Sequence, residues 1–501
     1  MKSTALMVID QGTTSTRAIV FDACGQKLGS AAKELTQFFP KPGWVEHSPE
    51  EIWAHVGLLI PQALERAGLQ PKQLAGLGVT NQRETVVLWE KTSGKTLSQA
   101  IVWQDRRTAD FCHSRRSDED WIRKKTGLVL DPYFSATKLA WILEQNASLK
   151  NQAENGHISA GTIDSFLINR LTGGLHHKTD RTNASRTLLA NLKDARWDDD
   201  LLDYFGIPEA VLPEIQASSS WFGTTKGLSF LPDGIPILGV AGDQQAALFG
   251  QGAFDPGDAK CTYGTGAFFL HHLGGNPTIS SHQLLTTIAA GSDQSLEYAL
   301  EGAVFVAGAA VQWLRDGLKL IENAPAIEKL ASMSEVNEPI LFVPGFVGLG
   351  APHWIPEAHG ALFGLTRSTT GADLGRATLE GVAFQVADLI EAAAADAGKR
   401  IGALWVDGGM ATNSHFLQTQ ANILGIPVIQ ASTSEATARG AAFLAGLTAG
   451  IWSTKEDLRK LLGECRSFYP QWDSEQRSHR IEYWRKAVRA LISFYRGSTL
   501  T

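Results

Sequence analysis

Leu6-Met7-Val8-Ile9-Asp10-Gln11-Gly12-Thr13-Thr14-Ser15-Thr16-Arg17-Ala18-Ile19-Val20-Phe21-Asp22 sets two apolar, β-branched-rich runs on either side of a turn of Gly, Thr and Ser. That pattern predicts a β-hairpin. Its tip offers backbone N–H groups and hydroxyls, which suit an oxyanion such as phosphate. Asp10 ends the first run, where a carboxylate can hold a cation beside that phosphate. A related stretch recurs downstream: Cys261-Thr262-Tyr263-Gly264-Thr265-Gly266-Ala267-Phe268-Phe269. Two such hairpins suggest two halves closing on one nucleotide, although short Gly/Thr turns also serve as plain hairpin turns.

The bulk properties narrow the class. A chain of 501 residues exceeds one core, so two or more domains are expected. Hydrophobic content of 44% and charged content of 19% fit a globular protein. A net charge of −7 argues against a general polyanion binder, so no nucleic-acid partner is expected. Cys24, Cys112, Cys261 and Cys465 lie far apart, which indicates neither a zinc site nor a disulfide framework. The apolar run ahead of Asp10 is too short for a signal peptide. The apolar stretch 303–311 is too short to span a bilayer and reads as a buried helix. The expectation is a cytoplasmic protein with no membrane insertion.

The first half alternates strand and helix patterns. Residues 50–67 are helical in pattern. Short strands at 77–80 and 101–103 each end in polar residues: Asn81-Gln82-Arg83-Glu84 and Gln104-Asp105-Arg106-Arg107. Strands with polar groups at their ends, alternating with helices, indicate α/β layering and a site at the strand ends. A crossover between halves is expected around 245–255, where Gly252, Pro256 and Gly257 punctuate the chain. This divides it into domains 1–250 and 251–501. The second half opens with its own hairpin, followed by helical patterns over 302–318 and 372–395 and a strand over 403–406. The echoed hairpin suggests an ancient duplication.

Four constellations carry chemistry. No Gly-x4-Gly-Lys-Ser/Thr is present, so this is not a P-loop protein, and no Gly-x-Gly-x-x-Gly opens a helix after a strand, so a dinucleotide fold is not supported. Phosphate binding then rests on the hairpins, with Arg17 adding charge. Phosphoryl transfer needs positioning and charge neutralisation above all. Mg²⁺ is the usual neutraliser, and Asp10 and Asp243 are the candidate ligands. The run Ala241-Gly242-Asp243-Gln244-Gln245 places a carboxylate where it can take a proton from a substrate hydroxyl, or cap a helix beginning at Ala246. Arg83-Glu84, with Trp103 and Tyr133, offers donors, acceptors and apolar faces to a small polyol; an ion pair and core aromatics are the plainer alternative. In Asp407-Gly408-Gly409-Met410-Ala411-Thr412-Asn413 the glycines admit a flat base, and Asn413 either meets adenine or caps a helix. His176-His177 and His271-His272 lack metal spacing.

Taken together, the chain resembles the FGGY carbohydrate kinase family. The resemblance rests on Asp10–Ser15, Pro40–His47, Thr80–Thr85, Ile101–Gln104, Asp131–Ser135, Asn183–Thr187, Gly242–Gly250, Thr262–Gly266, Glu301–Phe305, Gly348–Pro352 and Val406–Gly409, which run in family order. It implies an α/β fold of two actin-like (ribonuclease H-like) ATPase domains with a catalytic cleft between them. It implies transfer of the ATP γ-phosphoryl, with Mg²⁺, to a terminal hydroxyl of glycerol, giving sn-glycerol 3-phosphate. Arg83, Glu84, Trp103, Tyr133, Asp243, Gln244 and Phe268 would line the glycerol site, with Asp243 as general base. Thr13, Thr14, Ser15 and Arg17 would meet the phosphates from one domain. Thr265, Gly308, Gln312, Gly409 and Asn413 would hold the nucleotide from the other. Asp10 and Asp243 would flank the metal. Members of the family often form dimers or tetramers, so the resemblance implies a homodimer or homotetramer.

Arg83-Glu84 with Trp103 and Tyr133 resembles the glycerol set of the family and not the pentulose or hexulose set. Residues 224–234 lack the Gly-rich, Arg-bearing loop and the regulatory His of some members, and the tail after Tyr469 diverges. Regulation is therefore not carried over. A kinase for another small polyol or ketose, and an actin- or chaperone-like nucleotide switch, are the competing readings.

Overall fold

Ala5–Gln11 and Ser15–Phe21 pair antiparallel, with Asp10 opposite Arg17, and form the spine of a six-stranded sheet. The computed structural model that places them describes residues 4–291, 295–335, 340–355, 357–433 and 435–496. On one side of the hairpin Lys27–Glu34 adds antiparallel to Ser15–Phe21. On the other, Leu74–Asn81 and then Pro236–Gly242 add in parallel, and Ser219–Thr224 closes the edge antiparallel. Parallel strands need crossover connections, which the helices Pro49–Ala67 and Ile163–Leu171 help supply. Ser48 caps Pro49–Ala67 through its contact with the Glu51 N–H, and Gly68 ends it in a left-handed turn.

The second half repeats this plan. Ala259–Tyr263 and Ala267–Gly274 form its antiparallel hairpin, and Tyr298–Val304 continues it. Leu404–Asp407 and Val428–Gln430 add in parallel on the other side, with Arg466–Phe468 antiparallel at the edge. Leu285–Ile288 extends the far edge to seven strands. Two sheets of one topology are the actin-like (ribonuclease H-like) architecture, and the repeat agrees with a duplication.

The halves meet tightly. Helix Ala436–Thr448 lies across the first sheet, packing Ala438, Ala441 and Ala442 on Leu6, Val8 and Phe21. It crosses helix Asp243–Gly250 where two glycines permit backbone contact. A Cβ on Gly440 would lie 1.8 Å from the Ala246 carbonyl oxygen, and one on Gly250 2.0 Å from that of Ala436.

Two expectations are corrected. The helix expected from 302 to 318, with 303–311 at its core, is a strand, Tyr298–Val304, followed by a helix, Gly308–Asp316. The strand is buried on both faces, so its apolar run lacks the alternation that marks a half-exposed strand. The helix expected to begin at Ala246 begins at Asp243. No helix among the described residues is long and apolar enough to cross a membrane.

Candidate active site

Three neighbouring parallel strands deliver the polar groups. Asp10 pairs with Thr80, Gln11 with Asn81, and Asn81 with Gly242. Their carboxyl ends therefore lie level, and Asp10, Arg83-Glu84 and Asp243 emerge side by side, which is where ligands bind in such sheets. Gly242 is required here. A Cβ at that position would stand 2.6 Å from Arg83 Cγ. Arg83 Nε lies 3.2 Å from Asp243 Oδ1. Glu84 is held at φ 61, a backbone conformation that a non-glycine residue adopts at a cost. Ser135 Oγ donates to the Glu84 carbonyl at 3.0 Å and helps fix that turn.

Beneath them lies a buried ring of charge. Arg83 Nη1 and Nη2 donate to Glu301 at 2.5 and 2.9 Å. Arg186 Nη2 donates to Glu301 at 3.1 Å, and Arg186 Nε to Glu84 at 2.7 Å. Burial alone would raise the Glu301 carboxyl, but Arg186 and Arg83 override it and hold it at about 2. Glu84 is raised, because its burial outweighs the same two arginines.

Aromatic rings wall the site. Trp103 meets Tyr133 at 5.5 Å and Phe268 at 6.4 Å between centroids, both edge-on. Phe268 belongs to the second half and Trp103 to the first. Trp103 Nε1 also donates to Thr13 Oγ1 at 2.9 Å, tying this wall to the N-terminal hairpin. The hairpin turn is closed by Gly12 N–H donating to the Ser15 carbonyl at 2.9 Å, which leaves Thr13 and Ser15 partly open and Thr14 exposed.

Asp243 keeps 30% of its side chain open to the cleft. Burial raises its titration, while Arg83 and Lys260 draw it down and Asp10 pushes it up. Lys260 is itself buried, which lowers its titration against the pull of Asp407, Cys261 and Asp243. Its Nζ donates to Gln244, to Thr262 Oγ1 at 3.0 Å and to the Phe268 carbonyl at 3.3 Å. Arg17 is engaged by Asp10 and, at 2.7 Å, by Glu435.

The described residues contain no cluster of three or more His, Cys, Asp or Glu able to cage a metal. Mg²⁺ asks for less. One or two carboxylates suffice where phosphate oxygens and water complete the octahedron. Asp10 and Asp243 lie close enough for the charge of one to act on the other.

The second half holds a cavity of about 320 Å³. Thr265, Gly308, Gln312, Gly409 and Asn413 all line it, so the residues expected there from sequence are brought together. Backbone hydrogen bonds build its rim: Gly308 N–H donates to the Gly264 carbonyl at 3.0 Å and Ala307 N–H to that of Thr265 at 2.8 Å. A Cβ on Gly409 would meet nothing within 4 Å. Asn413 also caps helix Ser414–Leu424, accepting from the Phe416 N–H at 2.8 Å, so its capping role is met.

Arg186, Glu301 and Lys260 were not among the expected site residues. Glu301 and Lys260 are single charges inside apolar strand runs, Ala299-Leu300-Glu301-Gly302 and Ala259-Lys260-Cys261. A charge so placed must find a partner, and that was the available signal.

Comparison with known proteins accords with this geometry. The N-terminal domain model of the FGGY family of carbohydrate kinases matches residues 5–250, and the C-terminal domain model matches 259–449. A protein of Oceanobacillus iheyensis named glycerol kinase is 49% identical over 99% of this chain and 99% of its own length. One of Enterococcus casseliflavus, with the same name, is 48% identical over 98% and 97%. The crystal structure of Plasmodium falciparum glycerol kinase with ADP superposes with a TM-score of 0.92 at 35% identity, covering 98% of this chain and 99% of that one. On this evidence the chain belongs to the FGGY family of carbohydrate kinases.

Proposed function

We propose that this protein is a glycerol kinase, transferring the γ-phosphoryl group of ATP to a terminal hydroxyl of glycerol and releasing ADP and sn-glycerol 3-phosphate. The observation that carries the reading is the near-full-length likeness to relatives named glycerol kinase, joined to an Arg83-Glu84, Trp103 and Tyr133 set in one place. The polar edge of that set matches hydroxyls, which both donate and accept. The rings of Trp103, Tyr133 and Phe268 match the C–H face of a polyol and keep water away.

In this reading Arg83, Glu84, Asp243 and Gln244 hold glycerol. Asp243 takes the proton from the attacking hydroxyl as it approaches phosphorus. Its titration, raised by burial, makes it a better proton acceptor than a free carboxylate. Thr13, Thr14 and Ser15 meet the phosphates through hydroxyls and backbone N–H groups, and Arg17 adds positive potential beside them. Thr265, Gly308, Gln312, Gly409 and Asn413 hold the nucleoside. Asp10 and Asp243 would hold Mg²⁺, which neutralises charge on the phosphate oxygens. Two domains, 1–250 and 251–501, close over both substrates and exclude water from the transferring group.

An ADP-release assay across glycerol, dihydroxyacetone, erythritol and xylulose tests the assignment. Glycerol is expected to give the highest kcat/KM. A higher value for another acceptor overturns the substrate, and no turnover with any of them overturns the activity.

A further inference from the structure

We infer that Glu301, contributed by the second half of the chain, is a positioning residue for glycerol: it orients Arg83 directly and Glu84 through Arg186. The inference rests on the glycerol reading above and adds to it a device for reading the acceptor from the nucleotide-binding half.

Glu301 sits in strand Tyr298–Val304, opposite Leu270 on one neighbour and Leu285 on the other, within the second sheet. Its carboxylate nevertheless points across the interface. Both of its oxygens are taken by the first half: Oε2 by Arg83 Nη1 at 2.5 Å, Oε1 by Arg83 Nη2 at 2.9 Å and Arg186 Nη2 at 3.1 Å. The Arg83 contact is the two-pronged guanidinium–carboxylate fit, which fixes a plane as well as a distance. Fixing that plane leaves Arg83 Nε facing Asp243 at 3.2 Å. Arg186 in turn holds Glu84 at 2.7 Å through Nε. Both expected hydroxyl-binding groups of the Arg83-Glu84 pair are therefore set by one carboxylate from the opposite half.

The ring is fully buried, and two of its donors have no hydrogen-bond partner among the described residues: Arg186 Nη1, and Arg83 Nε, which keeps only its ion-pair contact with Asp243. A buried donor left unmade costs free energy. A ring built only to glue the halves would use these donors, or be replaced by apolar packing, since buried ion pairs are poor glue. Spare donors beside Asp243 and the Tyr133 ring, which Arg186 Cζ approaches to 5.5 Å, fit a ring held ready for ligand hydroxyls.

The test uses Glu301→Asp, which keeps the charge and draws it back by one methylene, so the halves still have their counter-ion. The expected result is a rise of about tenfold or more in glycerol KM, with ATP KM and the glycerol-independent ATPase changed by less than about twofold. Parallel rises in both KM values, or an unchanged glycerol KM, overturn the inference. A second measurement needs no substitution. In hydrogen exchange of the unaltered enzyme, glycerol alone, without nucleotide, is expected to protect the backbone of Tyr298–Val304. Protection confined to the first half overturns the inference even if Glu301→Asp does not fold. Failure of glycerol turnover in the unaltered enzyme would instead remove the functional reading itself.

Discussion

The indole N–H of Trp103 donates to Thr13 Oγ1 at 2.9 Å, so the aromatic wall proposed to face the acceptor and the tip of the N-terminal hairpin are one connected unit. A change on either side is therefore felt on the other. Trp103→Phe keeps a ring against Tyr133 but removes the donor. The expected outcome is a fall of about tenfold in kcat/KM for glycerol, with a smaller rise of about two- to threefold in ATP KM as Thr13 loses its anchor. Steady-state kinetics with each substrate varied in turn checks both numbers.

In the proposed reading, a change at Gly409 separates nucleotide binding from acceptor binding. It lines the cavity of about 320 Å³, and a side chain there would enter open space. Gly409→Leu is expected to raise ATP KM by about tenfold or more through occupied volume, while glycerol KM and the melting temperature stay near those of the unaltered protein. Nucleotide binding by calorimetry and a thermal scan make the comparison.

The crossing of helices Ala436–Thr448 and Asp243–Gly250 predicts a stability effect from the smallest possible addition. A methyl on Gly440 would sit 1.8 Å from the Ala246 carbonyl oxygen, with backbone and not a flexible side chain as the neighbour. Gly440→Ala is expected to destabilise by about 2–3 kcal/mol, despite alanine's better helix propensity. Urea denaturation measures this, and the same substitution at exposed Gly450, with φ 71, gives a reference for strain without crowding.

Acid should weaken the fold well above the carboxylate range. His47, His177 and His271 are each lowered to about 4, chiefly because burial disfavours the charged ring. Between about pH 6.5 and 4 the unfolded chain binds protons that the folded chain refuses. Stability therefore falls as pH drops through that window, on the order of 3 kcal/mol for each ring by its lower end. Asp164, raised to about 7 by burial, works the other way over this window, so denaturation midpoints between pH 7.5 and 4.5 should decline, but by less than the three rings alone would give.

Much of this arrangement was legible in the sequence, and the reasons differ by element. The hairpin Ala5–Gln11/Ser15–Phe21 was readable because Gly12, Thr13 and Thr14 interrupt two β-branched runs. Helix Gly371–Ala397 was readable from its period, with bounds close to the expected 372–395. Tyr298–Val304 was misread because full burial removes the period that separates strand from helix. Of the residues expected at the second-half cavity, Gly409 and Asn413 were readable from the turn after strand Leu404–Asp407, whereas Gly308 and Gln312 came from the family resemblance alone. The ring Arg83–Glu301–Arg186–Glu84 was hidden for a different reason. Its members are separated by up to 218 positions, and partners across two halves leave no local signature.

The central claim is that Asp243, at the carboxyl end of Pro236–Gly242, deprotonates glycerol as the phosphoryl group arrives. Asp243→Asn keeps the shape and removes the base. Rapid-quench measurement of γ-³²P transfer to glycerol, with ATP affinity measured in parallel, tests it most directly. The account predicts transfer slowed by at least about a thousandfold with ATP affinity within about threefold of the unaltered enzyme. Transfer at the unaltered rate would contradict it.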